Sequence, residues 1–168
     1  LGMTGLLLFR ATQTKHPQHV HVRMSFIGGR ESELRYWNPR RFGRLFLLDQ
    51  PGLDRYRARR FGVDPVTLPR DEFVRLMRAR RGRLKSLLMH QQVIAGIGNI
   101  YACEALHRAG IHPLTPARNI DAPQSKRLLQ AIKTILNQAI RCQGSTRMDY
   151  RTAEGEPGSF QRFHRVYQ

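Results

Sequence analysis

Cysteine is almost missing from this chain: Cys103 and Cys142 are the only two, 39 positions apart and in no CxxC pair. They can build neither a disulfide framework nor the four-ligand set of a structural zinc site, and on helix faces they read as small hydrophobes. Negative charge is scarce as well. Twelve Asp plus Glu stand against 29 Lys plus Arg, for a net charge of +17 and a pI near 11.4. A field of that sign draws polyanions, either nucleic acid or an acidic membrane surface. No apolar run approaches the roughly 18 residues of a membrane span, and the start carries no signal-peptide pattern. A disulfide framework and an apolar membrane-spanning helix within these residues are thereby excluded. The basic residues are scattered through folded-looking segments rather than gathered on one amphipathic helix, which favours nucleic acid over lipid. A reducing cytoplasm is the expected compartment. At 168 residues and 40% hydrophobic content, without repeats or low complexity, the chain can form one core or two small ones.

What is present changes period along the chain. Over the first fifty residues the signal is β. "HVHVRMSF" puts Val20, Val22, Met24 and Phe26 on one face and His19, His21, Arg23 and Ser25 on the other. "IGGRES" supplies a turn, "ELRYW" and "GRLFLLD" read as further strands, and "NPRRFG" connects two of them. Residues 51–69, rich in Pro, Gly and Arg, are expected to be the linker between domains. Helical spacing follows. "RDEFVRLMRAR" opens with acids and stops near Gly82, "LKSLLMHQQ" makes a short helix, and "NIYACEALHRAG" runs from Asn99 as N-cap to Gly110. In "APQSKRLLQAIKTILNQAIR" the residues Leu128, Leu129, Ile132, Ile135, Leu136, Ala139 and Ile140 form one apolar stripe. Residues 151–168 return to turns. The expectation is an α+β protein of two domains: a partial β domain over 1–50 and a helical domain over 70–150.

One stretch carries chemistry. In "IAGIGNIYACEALHRAGIHP" Gly96 and Gly98 bracket an isoleucine, and Asn99 stands where a helix begins. A helix start offers unpaired N–H groups and partial positive charge. Glycines before it let the backbone approach a phosphate, and an asparagine adds an amide donor. A tight helix–helix turn needing glycine only for packing is the competing account; the overall charge and Lys85, one helix earlier, weigh for the anion.

"LKSLLMHQQVIAGIGNIYACEALHRAGIHP" resembles the helix–two-turns–helix motif of the bacterial formamidopyrimidine-DNA glycosylases. "NPRRFG" is similar to that family's intercalation loop, and "GSTRMDYRTAEGEPGSFQRFHRVYQ" to the stretch leading into its zinc finger. The likeness runs in order along essentially the whole chain. It implies an α+β fold with the C-terminal part of an antiparallel β-sandwich domain ahead of the helix–two-turns–helix domain. It also implies base-excision DNA repair: binding damaged duplex DNA, excising oxidised purines such as 8-oxoguanine and formamidopyrimidines, and cleaving the abasic strand. Extruding a base leaves a hole. Met3, Arg40 and Phe42 match the residues that fill it, two as apolar wedges and one as a donor to a base edge. Lys85, Asn99, the adjoining Gly98 and Arg80 match phosphate contacts. A DNA-contacting histidine maps to His16 or His19, since the spacing in "KHPQHVH" slips by one. Ser145, Thr146 and Tyr150 fall in the loop that covers the extruded base. Departures occur at His90, Cys103, Arg147 and Met148; the last two put lesion preference in doubt.

In the family a catalytic N-terminal proline and a glutamate precede the segment at Leu1, and a four-cysteine zinc finger follows Gln168. Both ends are therefore expected to be cut, with no metal ligands and no catalytic nucleophile within the 168 residues, so that this polypeptide alone is inactive and zinc belongs to the full-length protein. The expected partner is damaged double-stranded DNA, bound by a monomer at the bacterial nucleoid, with no membrane partner. Two other readings stay open: a truncated, non-catalytic homologue that only binds damaged or abasic DNA, and an endonuclease VIII-type glycosylase for oxidised pyrimidines.

Overall fold

A computed structural model describes residues 4–9, 17–146 and 150–167. Met3, His16, Arg147 and Met148, each singled out above, lie outside the described residues. The architecture is α+β, and the chain divides into two compact units, Leu1–Leu47 with Arg141–Arg162, and Leu48–Ile140 with Phe163–Gln168.

The first unit holds one three-stranded antiparallel sheet, β1 (Leu6–Phe9), β2 (Val20–Ser25) and β3 (Glu33–Trp37), in the order β1-β3-β2. Leu6 pairs with Trp37 and Leu8 with Arg35, while Met24 pairs with Leu34 across the other edge. Period-two alternation sends Leu6 and Leu8 into a small core with Trp37, and Val20 packs against it. Along β2 the expected alternation holds, with Val20, Val22 and Met24 half-buried and His21, Arg23 and Ser25 exposed. It fails at both ends. His19 belongs to a 3-10 turn over Pro17–His19, and Phe26 lies past the strand and is exposed. "GRLFLLD" is not a strand: residues 43–49 are irregular and Leu45, Phe46, Leu47 and Leu48 are exposed. Its apolar run suits a strand, but a strand needs a partner ladder, and no described segment pairs with it.

The tail after the last helix returns to this unit. Phe9 N–H donates to Ala153 O at 3.0 Å, Ser159 N–H to Cys142 O at 2.9 Å, and Phe160 N–H to Gly144 O at 3.0 Å, with Phe160 fully buried. By its contacts the segment Arg141–Arg162 groups with the sheet, because backbone pairing across the chain, invisible to local pattern, ties it there.

The segment 51–69, expected as the linker, falls in the second unit. Its first part is helix α1 (Gln50–Arg60), capped by Asp49, whose carboxylate accepts from Gly52 N–H at 2.8 Å. Pro51 sits in the first turn, where its missing N–H costs nothing. No α1 residue is buried, so the helix has no apolar stripe to reveal it. Its continuation docks: Val63 bridges Ile94 in parallel, and Gly62 N–H donates to Gln91 O at 2.8 Å. Helices α2 (Arg70–Arg78), α3 (Leu84–Leu88), α4 (Asn99–Ala109) and α5 (Ala122–Arg141) follow. Phe73, Met77, Leu84, Leu88, Ile94 and Leu128 are completely buried, each contributing roughly 1.5–3 kcal/mol on transfer from water. Helix α5 buries the predicted stripe except Ile140, which is exposed in its last turn. Asp121 and Gln124 cap it reciprocally: Gln124 N–H donates to Asp121 Oδ1 at 2.6 Å and Asp121 N–H to Gln124 Oε1 at 3.0 Å.

Candidate nucleic-acid interface

The first unit's contribution is the loop after β3. Asn38, 1% exposed, is its foundation. Its amide donates to Tyr36 Oη at 2.7 Å, its side-chain oxygen accepts from Thr4 Oγ1 at 2.9 Å, and its carbonyl accepts from His21 Nε2 at 2.8 Å. Above this anchor Arg41 takes φ of +56°, unusual for a side-chain-bearing residue, and turns the chain sharply. Arg40 and Phe42 emerge exposed on either side. Phe42 is 62% exposed, with the Arg40 guanidinium 4.9 Å from its ring centroid. A cation over a ring at the surface contributes about 0.5–1 kcal/mol and holds the two side chains as a pair. His19 lies half-buried with its ring 6.0 Å from Trp37, edge-on.

The tail segment of the same unit is closely stitched. Ser145 bridges Ser159, Thr146 Oγ1 donates to Tyr150 O at 2.8 Å and accepts from Gly158 N–H at 2.9 Å, and the Tyr150 ring packs against Gly144. Ser145 and Thr146 are half-buried and Tyr150 exposed.

The second unit builds the turn between α3 and α4. Lys85 stands in the first turn of α3, its N–H donating to Pro113 O at 3.3 Å; its side chain has no acidic partner among the described residues. Arg80 is half-buried, and its Nε is buried with no hydrogen-bond partner among the described residues. Ahead of α4, Gln91 staples the loop: its amide donates to Met89 O and Ile97 O, both at 2.9 Å, and its oxygen accepts from Gly96 N–H at 2.9 Å. Gly96 has φ of +85°, which explains the first glycine. Gly98 differs: its backbone is extended, and a Cβ built there would meet nothing within 4 Å. The fold does not require glycine at 98, so the space over it is available to something else.

Gly98, not Asn99, is the N-cap of α4, which corrects the expected cap. Asn99 is already the first helical residue, and the cap residue, a glycine, makes no side-chain bond to this end. Its amide is turned instead to Tyr167, donating to Oη at 3.2 Å, while Cys103 Sγ donates to its oxygen at 3.8 Å. The positive end of the helix dipole, an amide and a phenol therefore come together at the helix start, a surface suited to an anion. Tyr167 lies 68 positions away from Asn99 and has no local signature, so periodicity and spacing do not reveal it. The same is true of Glu104, the sole acid of α4, 4% exposed, whose carboxylate accepts from the backbone N–H groups of Arg165, Val166 and Tyr167. No three His, Cys, Asp or Glu side chains come together as a metal site among the described residues, and no described helix is long and apolar enough to cross a membrane.

Comparison with known proteins gives two family matches. Residues 61–150 match the formamidopyrimidine-DNA glycosylase H2TH domain, and residues 1–45 match the formamidopyrimidine-DNA glycosylase N-terminal domain. The formamidopyrimidine-DNA glycosylase of Thermomicrobium roseum is 40% identical over 99% of this chain and 62% of its own length, and that of Herpetosiphon aurantiacus 39% identical over 96% and 59%. Among solved structures, the MutM (Fpg) protein of Thermus thermophilus superposes with a TM-score of 0.85 at 37% identity, over 99% of this chain and 62% of that one. A Lactococcus lactis Fpg in complex with DNA containing an abasic site superposes with a TM-score of 0.85 at 28% identity, over 99% and 61%. The chain spans about three-fifths of the length of these relatives.

Proposed function

We propose that this chain, which belongs to the formamidopyrimidine-DNA glycosylase family, is the DNA-gripping part of a base-excision repair enzyme. The observation that carries the reading is the convergence of Asn99 and Tyr167 at the uncapped start of α4, in front of a glycine with open space above it. Phosphate contacts fix a protein's register on the duplex; here Lys85, Asn99, Gly98 and Arg80 take that part. Arg40 and Phe42, with Met3, take the part of filling the gap left by an extruded base, and His19 or His16 that of a further backbone contact. The segment around Ser145, Thr146 and Tyr150 covers the extruded base.

The whole protein's substrate on this reading is duplex DNA bearing an oxidised purine, 8-oxoguanine or a formamidopyrimidine. Excision is followed by cleavage at the abasic site. Zinc is, on this reading, a cofactor of the full-length protein, as the family resemblance implies. The protein works as a monomer in the bacterial cytoplasm, at the nucleoid.

The experiment is a salt titration of binding. The 168-residue chain is mixed with a fluorescent duplex carrying a stable abasic analogue, and with its intact counterpart. Binding should be tighter to the abasic duplex and fall steeply with salt, because phosphate neutralisation releases counterions. Lys85→Ala should weaken both complexes alike and flatten the log–log salt slope by about one. Equal affinity for the two duplexes would remove the damage-recognition reading, and an unchanged slope would remove Lys85 from the phosphate grip.

A further inference from the structure

We infer that Glu104 is a positioning residue for DNA binding. Its buried carboxylate captures the backbone of residues 165–167 and thereby sets the Tyr167 hydroxyl beside the Asn99 amide. The inference rests on the reading of the α4 start as a phosphate grip, and adds to it the device that assembles the grip.

A carboxylate 4% exposed is tolerable only when paired or richly hydrogen-bonded. Glu104 takes the second course. Arg165 N–H lies 3.1 Å from Oε1 and 2.9 Å from Oε2, Val166 N–H 3.0 Å from Oε1, and Tyr167 N–H 2.9 Å from Oε1. Three consecutive N–H groups aimed at one anion form a nest, and charge-assisted bonds of this kind are the strong ones. The partners are 61 to 63 positions away, so the contact orders a chain segment rather than a local turn.

The capture fixes Tyr167 at both ends of its backbone. Its N–H goes to Glu104, and its carbonyl accepts from His164 Nδ1 at 2.7 Å. The two rings also meet edge to face, with centroids 6.3 Å apart. A tyrosine so pinned has little freedom beyond two side-chain torsions, and its hydroxyl lands 3.2 Å from Asn99 Nδ2. By accepting one hydrogen of the Asn99 amide, the phenol oxygen orients that amide at the helix start. Asn99 and Tyr167 therefore act as one unit in which the phenol orients the amide, and Glu104 holds the phenol in place without facing the ligand.

Electrostatics makes the test discriminating. Glu104 is an acid in a protein whose partner is a polyanion, so neutralising it should tighten DNA binding if charge alone matters. Positioning predicts the opposite, because the glutamine of Glu104→Gln keeps the shape but offers one acceptor oxygen and turns an NH2 group toward N–H donors.

Three variants of the 168-residue chain, Glu104→Gln, Tyr167→Phe and the double variant, are compared with the parent by anisotropy on the abasic-analogue duplex. Hydrogen exchange at the amides of residues 165–167 is followed without DNA. Glu104→Gln should bind about tenfold more weakly despite the less negative chain, and its amides 165–167 should exchange faster. Tyr167→Phe should lose a similar factor, and the double variant should be no weaker than the poorer single one, since both break one device. Glu104→Asp, which keeps the charge but withdraws the carboxylate by one methylene, should show a smaller loss with the same non-additivity, and it carries the test if the glutamine variant does not fold. Parental or tighter binding by Glu104→Gln, or losses that add fully, would overturn the inference. Fast exchange at 165–167 in the parent would overturn the latch even if DNA binding held. Slow exchange in a parent that does not bind the abasic duplex would instead sink the reading of α4 as a phosphate grip.

Discussion

At the scale of single residues, exposure separates the side chains kept for packing from those held out for a partner. Phe42 is 62% exposed while Phe73 and Phe160 are fully buried. A large apolar side chain at a loop tip gains little from the fold, and its neighbour Arg40 covers one ring face without removing it from water. Phe42→Ala should therefore leave the melting temperature within about 2 °C of the parent, as expected for a surface change of under about 0.5 kcal/mol. It should weaken binding to abasic DNA about tenfold, the scale of one lost stacking contact, and weaken binding to intact duplex less, because only the abasic site offers a ready cavity. Arg40→Ala should reduce discrimination among bases opposite the gap. A drop of several kcal/mol in stability on Phe42→Ala, as for a buried Phe, would make it a core residue and end the wedge reading.

At the scale of elements, the α3–α4 turn assigns separate tasks to two glycines only two positions apart. Gly96 satisfies the backbone: its φ is +85° and its N–H is held by Gln91. Gly98 has an extended backbone with nothing within 4 Å of a would-be Cβ. Gly96→Ala should cost roughly 1–3 kcal/mol, the strain of a side-chain-bearing residue in that region, seen as a lower denaturation midpoint. Gly98→Ala should keep or slightly raise stability, since alanine narrows the unfolded ensemble, yet weaken DNA binding by placing a methyl group in the path of a phosphate. Unchanged binding by the Gly98 variant would show that the backbone there is not approached. The same element explains why Asn99 is not the cap its residue type suggests. Asn is a good N-cap in general, but Gln91 and the Val63–Ile94 bridge hold the preceding loop so that the cap falls one residue earlier, at Gly98.

At the scale of the molecule, a charge of +17 makes affinity for a polyanion strongly dependent on salt, and Glu104 adds a dependence on pH. Burial alone pushes its carboxyl up, but the backbone N–H groups of Tyr167, Arg165 and Val166, with the charge of His164, hold it below the ordinary carboxylate range. A folded pKa below the unfolded one means the unfolded chain binds more protons in between. The stabilisation is therefore complete above the unfolded value of about 4.3 and is lost as pH falls through the lower folded value. Melting the parent and Glu104→Gln side by side from about pH 6 to about pH 3 should show the parent's advantage constant at first and shrinking below about pH 4.3. An advantage that does not shrink with acid would mean that Glu104 is not the ionised receptor of the tail.

Composition and local pattern carried much of this. The excess of cations over acids depends on no fold, and the periods of β2, β3 and helices α2 to α5 follow from the geometry of a single element burying one face. The motifs GIGN and PRRFG are legible for a related reason: the backbone conformation they demand, and the polyanion they suit, restrict residue types at fixed short spacing. What needed the tertiary structure was everything set by contacts between distant positions. Helix α1 has no buried residue, so no stripe announces it. Residues 43–49 have strand composition but no described partner strand. The tail 141–162 joins the β-sheet unit through backbone hydrogen bonds that carry no side-chain signature. Tyr167 meets Asn99 only because Glu104, 61 to 63 positions before the tail it binds, takes up three backbone N–H groups. Backbone donors are the same at every residue but proline, and a site built from them leaves little trace in the letters.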